Sequence, residues 1–269
     1  MAALVQAMDR VGVTHAGNGA LRGGDAVTLA FAQRYPERFL PFAGQVGIGQ
    51  IVTSEKEKAW RLESQAMRDY LGTLEEGLQA GRWRGIGELF VHNTHTHPSW
   101  LPGTRYPADS PLMQRLWDLS ARYQVPLSVH MEADSAAIAE MERLLASNRQ
   151  GIWLWAHTGY SAAPPLLRRL FQAHSNLYCE LSWREVTQIG IRIVDNQGRL
   201  REDWKALFEE YPDRFVLGTD IATTRPEDYA RLVRYWRFII SPVADDAERK
   251  IAYQNAERLL RLTVAAPTP

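Results

Sequence analysis

Three apolar runs in this chain end in side chains that bind metal ions or move protons. Val125-Pro126-Leu127-Ser128-Val129 runs into His130. Ile152-Trp153-Leu154-Trp155-Ala156 runs into His157, followed by Thr158-Gly159. Phe215-Val216-Leu217-Gly218-Thr219 runs into Asp220. A lone histidine beside apolar residues is ordinarily a hydrogen-bonded core group. Three separate runs that each deliver an imidazole or a carboxylate at the same end point to one shared site. Those donors suit Zn²⁺ and its neighbours in the first transition series. A divalent cation held by them lowers the pKa of a bound water to about 7 and polarises a carbonyl group.

Other residues could join that chemistry. Glu88 sits among apolar residues in Trp83–Val91, where it serves either as a ligand, as the group that orders a ligand histidine, or as a partner for Arg84. Glu180, inside Leu177–Ser182, carries the same alternatives. Arg184 and Arg225 follow the Glu180 and Asp220 runs and are candidates to grip a substrate carboxylate. Trp183 and Trp100 lie in long loops and are candidates to wall an apolar pocket. His95-Thr96-His97 is a second candidate metal pair, with His92 three residues earlier. Rings at i and i+2 share a face on a strand, but Pro98 places this pair in a loop. Ser128 and Gly218 share a pleat face with His130 and Asp220 and leave room beside them. Cys179, the single cysteine, has no general base placed beside it and reads as a buried strand residue.

The elements that must position these groups alternate from end to end. Short apolar runs near Val13, Phe42, Ile86, Val129, Leu154, Tyr178 and Leu217 read as seven strands. Amphipathic segments with apolar residues at helical spacing separate them; Leu112, Leu116, Leu119 and Tyr123 form one such stripe. The first strand is expected over Val11–Ala16, Asp25 as the cap of the next helix, and Ser54-Glu55-Lys56-Glu57 as a capping box. Strand–helix alternation at this spacing implies parallel strands joined by crossover helices. Candidate residues at the ends of several strands, with no Gly-rich phosphate loop, favour a (β/α)8 barrel over an open doubly wound sheet. At 269 residues without a composition shift, the chain reads as a single domain over 1–269.

The order and spacing of these pieces resemble the amidohydrolase-related, metal-dependent hydrolases, which fold as TIM barrels. The resemblance is carried by Arg84-Gly85-Ile86-Gly87-Glu88, Tyr106-Pro107-Ala108-Asp109-Ser110-Pro111-Leu112, Val125–His130, Trp155-Ala156-His157-Thr158-Gly159, Asn176–Trp183, Asp213–Asp220 and Asn255-Ala256-Glu257-Arg258-Leu259-Leu260. It implies that His130 and His157 are metal ligands at the ends of the fifth and sixth strands. Asp220, at the end of the eighth, would be both a ligand and the group that handles the proton of the attacking water. In such proteins the first strand ends in His-x-His. This chain begins at what reads as the helix after that strand, and the expectation is an upstream segment that supplies it.

Three readings of function follow. The first is hydrolysis of a C–N or C–O bond in a small carbonyl compound by metal-activated water, with zinc the favoured ion. The second is decarboxylation of an aromatic or enoic acid in the same barrel. The third is a metal-free barrel that binds but does not catalyse, because the first-strand ligands are lacking. The expected partner is a small-molecule substrate. Lys+Arg and Asp+Glu both total 31, so no net field attracts nucleic acid or an anionic membrane. The absence of a long apolar run excludes a helical membrane span. One cysteine and no basic-then-apolar leader favour a cytoplasmic protein. A barrel with two open edges favours self-association into a homo-oligomer.

Overall fold

The computed structural model describes residues 2–19, 23–94, 103–184, 192–221 and 226–262. Seven strands form one sheet whose spatial order follows the chain, and every adjacent pair is parallel. They are β1 (Ala16–Asn18), β2 (Phe39–Gly44), β3 (Gly85–His92), β4 (Pro126–Met131), β5 (Ile152–Trp155), β6 (Leu177–Glu180) and β7 (Phe215–Val216). Helix α1 (Ala2–Arg10) precedes β1, and α2 (Gly24–Arg34) connects β1 to β2. The β2–β3 connection holds α3 (Gln45–Glu55), α4 (Glu57–Trp60) and α5 (Gln65–Gln79). Single helices make the next four crossovers: α6 (Pro111–Tyr123), α7 (Ser135–Ser147), α8 (Pro164–Ala173) and α9 (Glu202–Glu210). After β7 come α10 (Pro226–Ile240), α11 (Asp245–Arg249), a π turn (Lys250–Gln254) and α12 (Asn255–Leu259). This is the (β/α)8-type arrangement expected from the alternation, with seven strands among the described residues.

The ends of the sheet, β1 and β7, do not pair with each other among the described residues. The helical layer nevertheless continues across that seam. Helix α1 packs against α10, and Leu4, Ala7, Met8 and Val11 bury themselves with Tyr229 and Ala230. Helices on the outside of a parallel sheet require an apolar outer strand face. Trp153 and Trp155 of β5, Leu177 and Cys179 of β6 and Phe215 of β7 supply it and are fully buried against Trp117, Leu167, Leu170, Trp204 and Phe208. The inward-facing Glu88, Phe90, Tyr178 and Glu180 are only half-buried. The most tightly packed layer therefore lies between sheet and helices, and the barrel lumen keeps contact with solvent.

The opposite end of the lumen from the strand C-termini is closed by α12. Leu259 joins Leu154 and Val216 in a buried cluster flanked by Ile152 and Tyr178. Asn255 Nδ2 donates to the carbonyls of Pro212 at 2.7 Å and Phe215 at 2.8 Å, which fixes the helix at the start of β7.

Helix starts follow local chemistry. Ser64 accepts from Met67 N at 3.0 Å, and Asp134 accepts from Ala136 N and Ala137 N at 2.9 Å. Both are ordinary N-caps. Ser110 with Pro111 opens α6 as expected. Three local expectations are corrected. The first strand lies at Ala16–Asn18, because Val11 and Gly12 close the last turn of α1 through bonds to Met8 and Asp9 carbonyls. Gly23, not Asp25, caps α2; Asp25 instead accepts from Gly44 N at 3.0 Å and from Tyr70 Oη at 2.5 Å. Ser54 caps nothing: it lies near the end of α3, its hydroxyl donates to Ile51 O at 3.2 Å, and the chain kinks at Lys56, φ 50°.

Candidate metal centre

The centre forms at the C-terminal ends of β3, β4 and β5. Glu88 reaches it through an irregularity in β3. Ile86 pairs with Leu127 and Leu89 with Val129, so β3 spends one residue more than β4 over that interval. Ile86, Leu89 and Val91 all pack outward into the helix-facing core. Strict alternation from Ile86 would turn Glu88 outward too; the extra residue re-aims it into the lumen, as bulges do. Gly87 makes this possible. Its φ is +117°, and a Cβ there would lie 2.3 Å from Ser128 O.

Glu88 Oε1 stands between two imidazoles. It accepts from His130 Nδ1 at 3.0 Å and from His157 Nε2 at 3.1 Å. One donor atom from each of Glu88, His130 and His157 lies within 4.8 Å of the others, the single such His/Cys/Asp/Glu group among the described residues. Both histidines are buried. His157 lies in the turn after β5, where His157, Thr158 and Tyr160 all adopt left-handed backbone (φ 56°, 51° and 58°). Left-handed positions in non-glycine residues cost roughly 1–3 kcal/mol each and collect at functional sites.

A second layer orients His157. Ser182 Oγ donates to Glu180 Oε2 at 2.7 Å, which leaves its lone pairs to accept from His157 Nδ1 at 2.8 Å. Nδ1 therefore carries a proton, and Nε2 is the nitrogen aimed at Glu88. This is how an outer-shell partner sets the tautomer of a ligand histidine. Glu180 also accepts from the backbone N–H groups of Ser182 at 2.7 Å and His157 at 3.2 Å. Gly218 makes room for it: a Cβ on Gly218 would fall 1.8 Å from Glu180 Oε1.

Electrostatics couple the cluster. Burial works against charge on Glu88, but the positive charge of His157 and bonds from both imidazoles outweigh it and hold the carboxyl well below the usual range. Burial likewise opposes a charged His157, yet Glu88 beside it, with Asp220 and Glu180 farther off, raises it to about 9. Burial dominates at His130 and lowers its pKa, and burial raises that of Glu180. Asp220, φ 41°, opens to solvent at the rim. Desolvation by the surrounding strand ends and the charge of Glu88 push its carboxyl up to about 7. The indole N–H of Trp183 donates to Asp220 Oδ2.

The four principal candidates, Glu88, His130, His157 and Asp220, thus share one end of the barrel. The close donor triangle contains Glu88 where the sequence pointed to Asp220, and Asp220 stands beside it. Trp183 faces the site, its ring centroid 6.3 Å from that of His157. Arg184 is turned away: its guanidinium is buried and donates to the carbonyls of Tyr160 and Ala162. His95, His97, Trp100 and Arg225 lie outside the described residues. His92 contacts Asp134 Oδ2 through Nδ1 at 2.5 Å and Thr94 Oγ1 through Nε2 at 3.1 Å. Burial raises the Cys179 thiol, consistent with an inert strand residue. Tyr160, whose ring lies 5.1 Å from that of His130 and 4.8 Å from that of His157, carried no signal in the sequence.

The amidohydrolase sequence profile matches residues 4–262 of the chain. The chain belongs to the amidohydrolase family. No curated protein matches it significantly. Solved structures of similar fold include an uncharacterised TIM-barrel protein from Bordetella bronchiseptica (17% identity, TM-score 0.62, covering 96% of this chain and 81% of that one). A 2,6-dihydroxybenzoate decarboxylase from Rhizobium is similar at 15% identity and TM-score 0.60, over 97% and 88% of the two chains. A probable 2-pyrone-4,6-dicarboxylic acid hydrolase from Acinetobacter baumannii is similar at 12% identity and TM-score 0.62, over 97% and 88%. At these identities the likeness speaks for the fold. No helix among the described residues is long and apolar enough to cross a membrane.

Proposed function

We propose that this amidohydrolase is a metal-dependent hydrolase of a C–N or C–O bond in a small carbonyl compound. The observation that carries the reading is the convergence of Glu88, His130 and His157, with Asp220 at their side. Their donor set fits a divalent cation: two imidazoles and one carboxylate, with three protein donors leaving a position for water. Zinc suits the imidazoles best; the carboxylates also suit manganese. A cation held there supplies an acidified water and a polarised carbonyl.

The remaining work falls to the chain's own groups. Ser182 and Glu180 keep the His157 Nδ1 proton in place so that Nε2 faces the donor set. Asp220 receives a proton at its carboxylate from the attacking water. Its elevated pKa suits a group that must take up a proton and return it near neutrality. Trp183 holds the Asp220 carboxylate by Oδ2, and Oδ1 serves that exchange. Phe90, Tyr160 and Trp183 form an aromatic wall beside the two histidines.

That wall also favours decarboxylation of an aromatic acid as a second reading, since planar rings stack on such surfaces. Elemental analysis of the purified chain tests the common premise. About one equivalent of metal is expected, with occupancy lowered in His130→Ala; a metal-free wild-type chain would overturn both readings and leave the inert barrel. Assays that detect amine or alcohol release against CO₂ release then separate hydrolase from decarboxylase.

A further inference from the structure

We propose that Arg184 is a positioning residue for His157, acting by clamping the backbone turn that carries it; the proposal rests on the metal-centre reading above. His157, Thr158 and Tyr160 occupy left-handed backbone within four residues. Such a run persists only where its surroundings over-determine it. Arg184 supplies that determination. Its Nη1 donates to Tyr160 O and its Nη2 to Ala162 O at 3.2 Å. The guanidinium lies 4.9 Å from the centroid of the Trp204 indole, which is itself fully buried in α9.

The placement of this cation is otherwise unaccounted for. Arg184 is 3% exposed, and among the described residues it forms no ion pair and its Nε has no partner. Burying a guanidinium without a counter-ion is costly, and burial lowers its pKa to about 10. A residue kept at that cost, with its bonds directed to one turn, is there for the turn. The same segment grips His157 elsewhere: Ser182, two residues earlier, accepts from Nδ1. Side chain and backbone of the histidine turn are thus held from one short stretch. Tyr160 transmits the effect further, since its ring contacts both His130 and His157. Release of the Tyr160 carbonyl would let both imidazoles drift from Glu88.

The test compares Arg184→Met and Arg184→Lys with Asn176→Ala, a buried control whose amide holds the Leu145 and Asn148 carbonyls. Two quantities are read on chelator-stripped, folded protein well below the melting temperature. One is zinc affinity, by competition with a chromophoric chelator. The other is the exchange rate of the His157 Nδ1 proton, by NMR, its resonance identified by absence in His157→Gln. Arg184→Met should weaken zinc binding about tenfold or more, as loss of an outer-shell partner does, and should speed the proton exchange. Arg184→Lys keeps a donor for one carbonyl and should fall between. Asn176→Ala should lose stability without moving either quantity. Wild-type zinc affinity, within twofold, and unchanged exchange in Arg184→Met would overturn the proposal. If that variant does not fold, the same result in Arg184→Lys overturns it. If the wild-type chain binds no zinc, the metal reading fails, and the exchange rate alone decides the role of Arg184.

Discussion

Gly218 and Glu180 compete for one volume, and the site depends on which of them holds it. A methyl group on Gly218 would sit 1.8 Å from Glu180 Oε1, so Gly218→Ala must displace the carboxylate that orders Ser182 and His157. A destabilisation of about 1–3 kcal/mol is expected. Glu180→Ala should remove the collision, so in the double variant the two costs should fall short of additivity by more than 1 kcal/mol in a denaturation cycle. Strict additivity would place the Glu180 carboxylate elsewhere. The Glu88–His157 pair makes a pH prediction for the metal-free chain. His157 is raised from 6.5 to about 9, so its contribution is complete below 6.5 and lost as pH rises through 9. The unfolding free energy in chelator should therefore fall between pH 6.5 and 9, by on the order of 3 kcal/mol at most, and the melting temperature with it; a flat profile would show that His157 does not carry that charge. Glu88 is the same interaction seen from the acid side, lost as pH falls below the usual carboxylate range. His130 and His157 were legible in the sequence because each follows an apolar run. Glu88 remained ambiguous because an alternation rule turns it outward, and only an extra residue in β3 brings it in. Glu180 was named with the same alternatives as Glu88, and its bonds to Ser182 and His157 fit the one in which it orders a ligand histidine; Ser182 and Tyr160 were silent, since their roles are set by contacts across the barrel.

At the scale of elements, periodicity located the strands and helices, but the ends were decided by bonds that spacing does not reveal. Ser54 and Ser64 show the difference. Both precede helical stretches, and Ser54 has the better motif, with Glu57 three residues on. Yet α3 runs through Ser54 to Glu55, because the strand before it ends at Gly44 and the helix starts immediately. The break comes at Lys56, and Ser64 makes the cap. Ser64→Ala should therefore cost about 1 kcal/mol, whereas Ser54→Ala should stay within about 0.5 kcal/mol. Urea denaturation of the two variants distinguishes them, and equal costs would mean that the capping-box reading was right. The first strand was misplaced for a related reason. Val11 and Val13 are strand formers by composition, but Val11 is buried with the α1–α10 cluster and serves the helix layer instead.

The whole molecule separates its chemistry from its closure. Strand order was legible because alternation of short apolar runs with amphipathic helices admits few topologies. Closure of the lumen by α12 was not, because a terminal helix pattern does not say which end of a barrel it covers. Leu259 sits at that base against Leu154 and Val216, while the donor cluster lies at the strand C-termini. Truncating Leu259 to Ala removes a buried side chain from a small cluster and leaves a cavity, which should cost about 2–4 kcal/mol. Glu88, Phe90, Tyr178 and Glu180, which face the lumen, are only half-buried, so little of that strain should reach His130 or His157. Leu259→Ala should therefore lower the denaturation midpoint yet keep the zinc affinity of the folded chain within twofold of wild type. A loss of affinity parallel to the loss of stability would mean that the base supports the rim, and that the lumen transmits strain as a filled barrel core does.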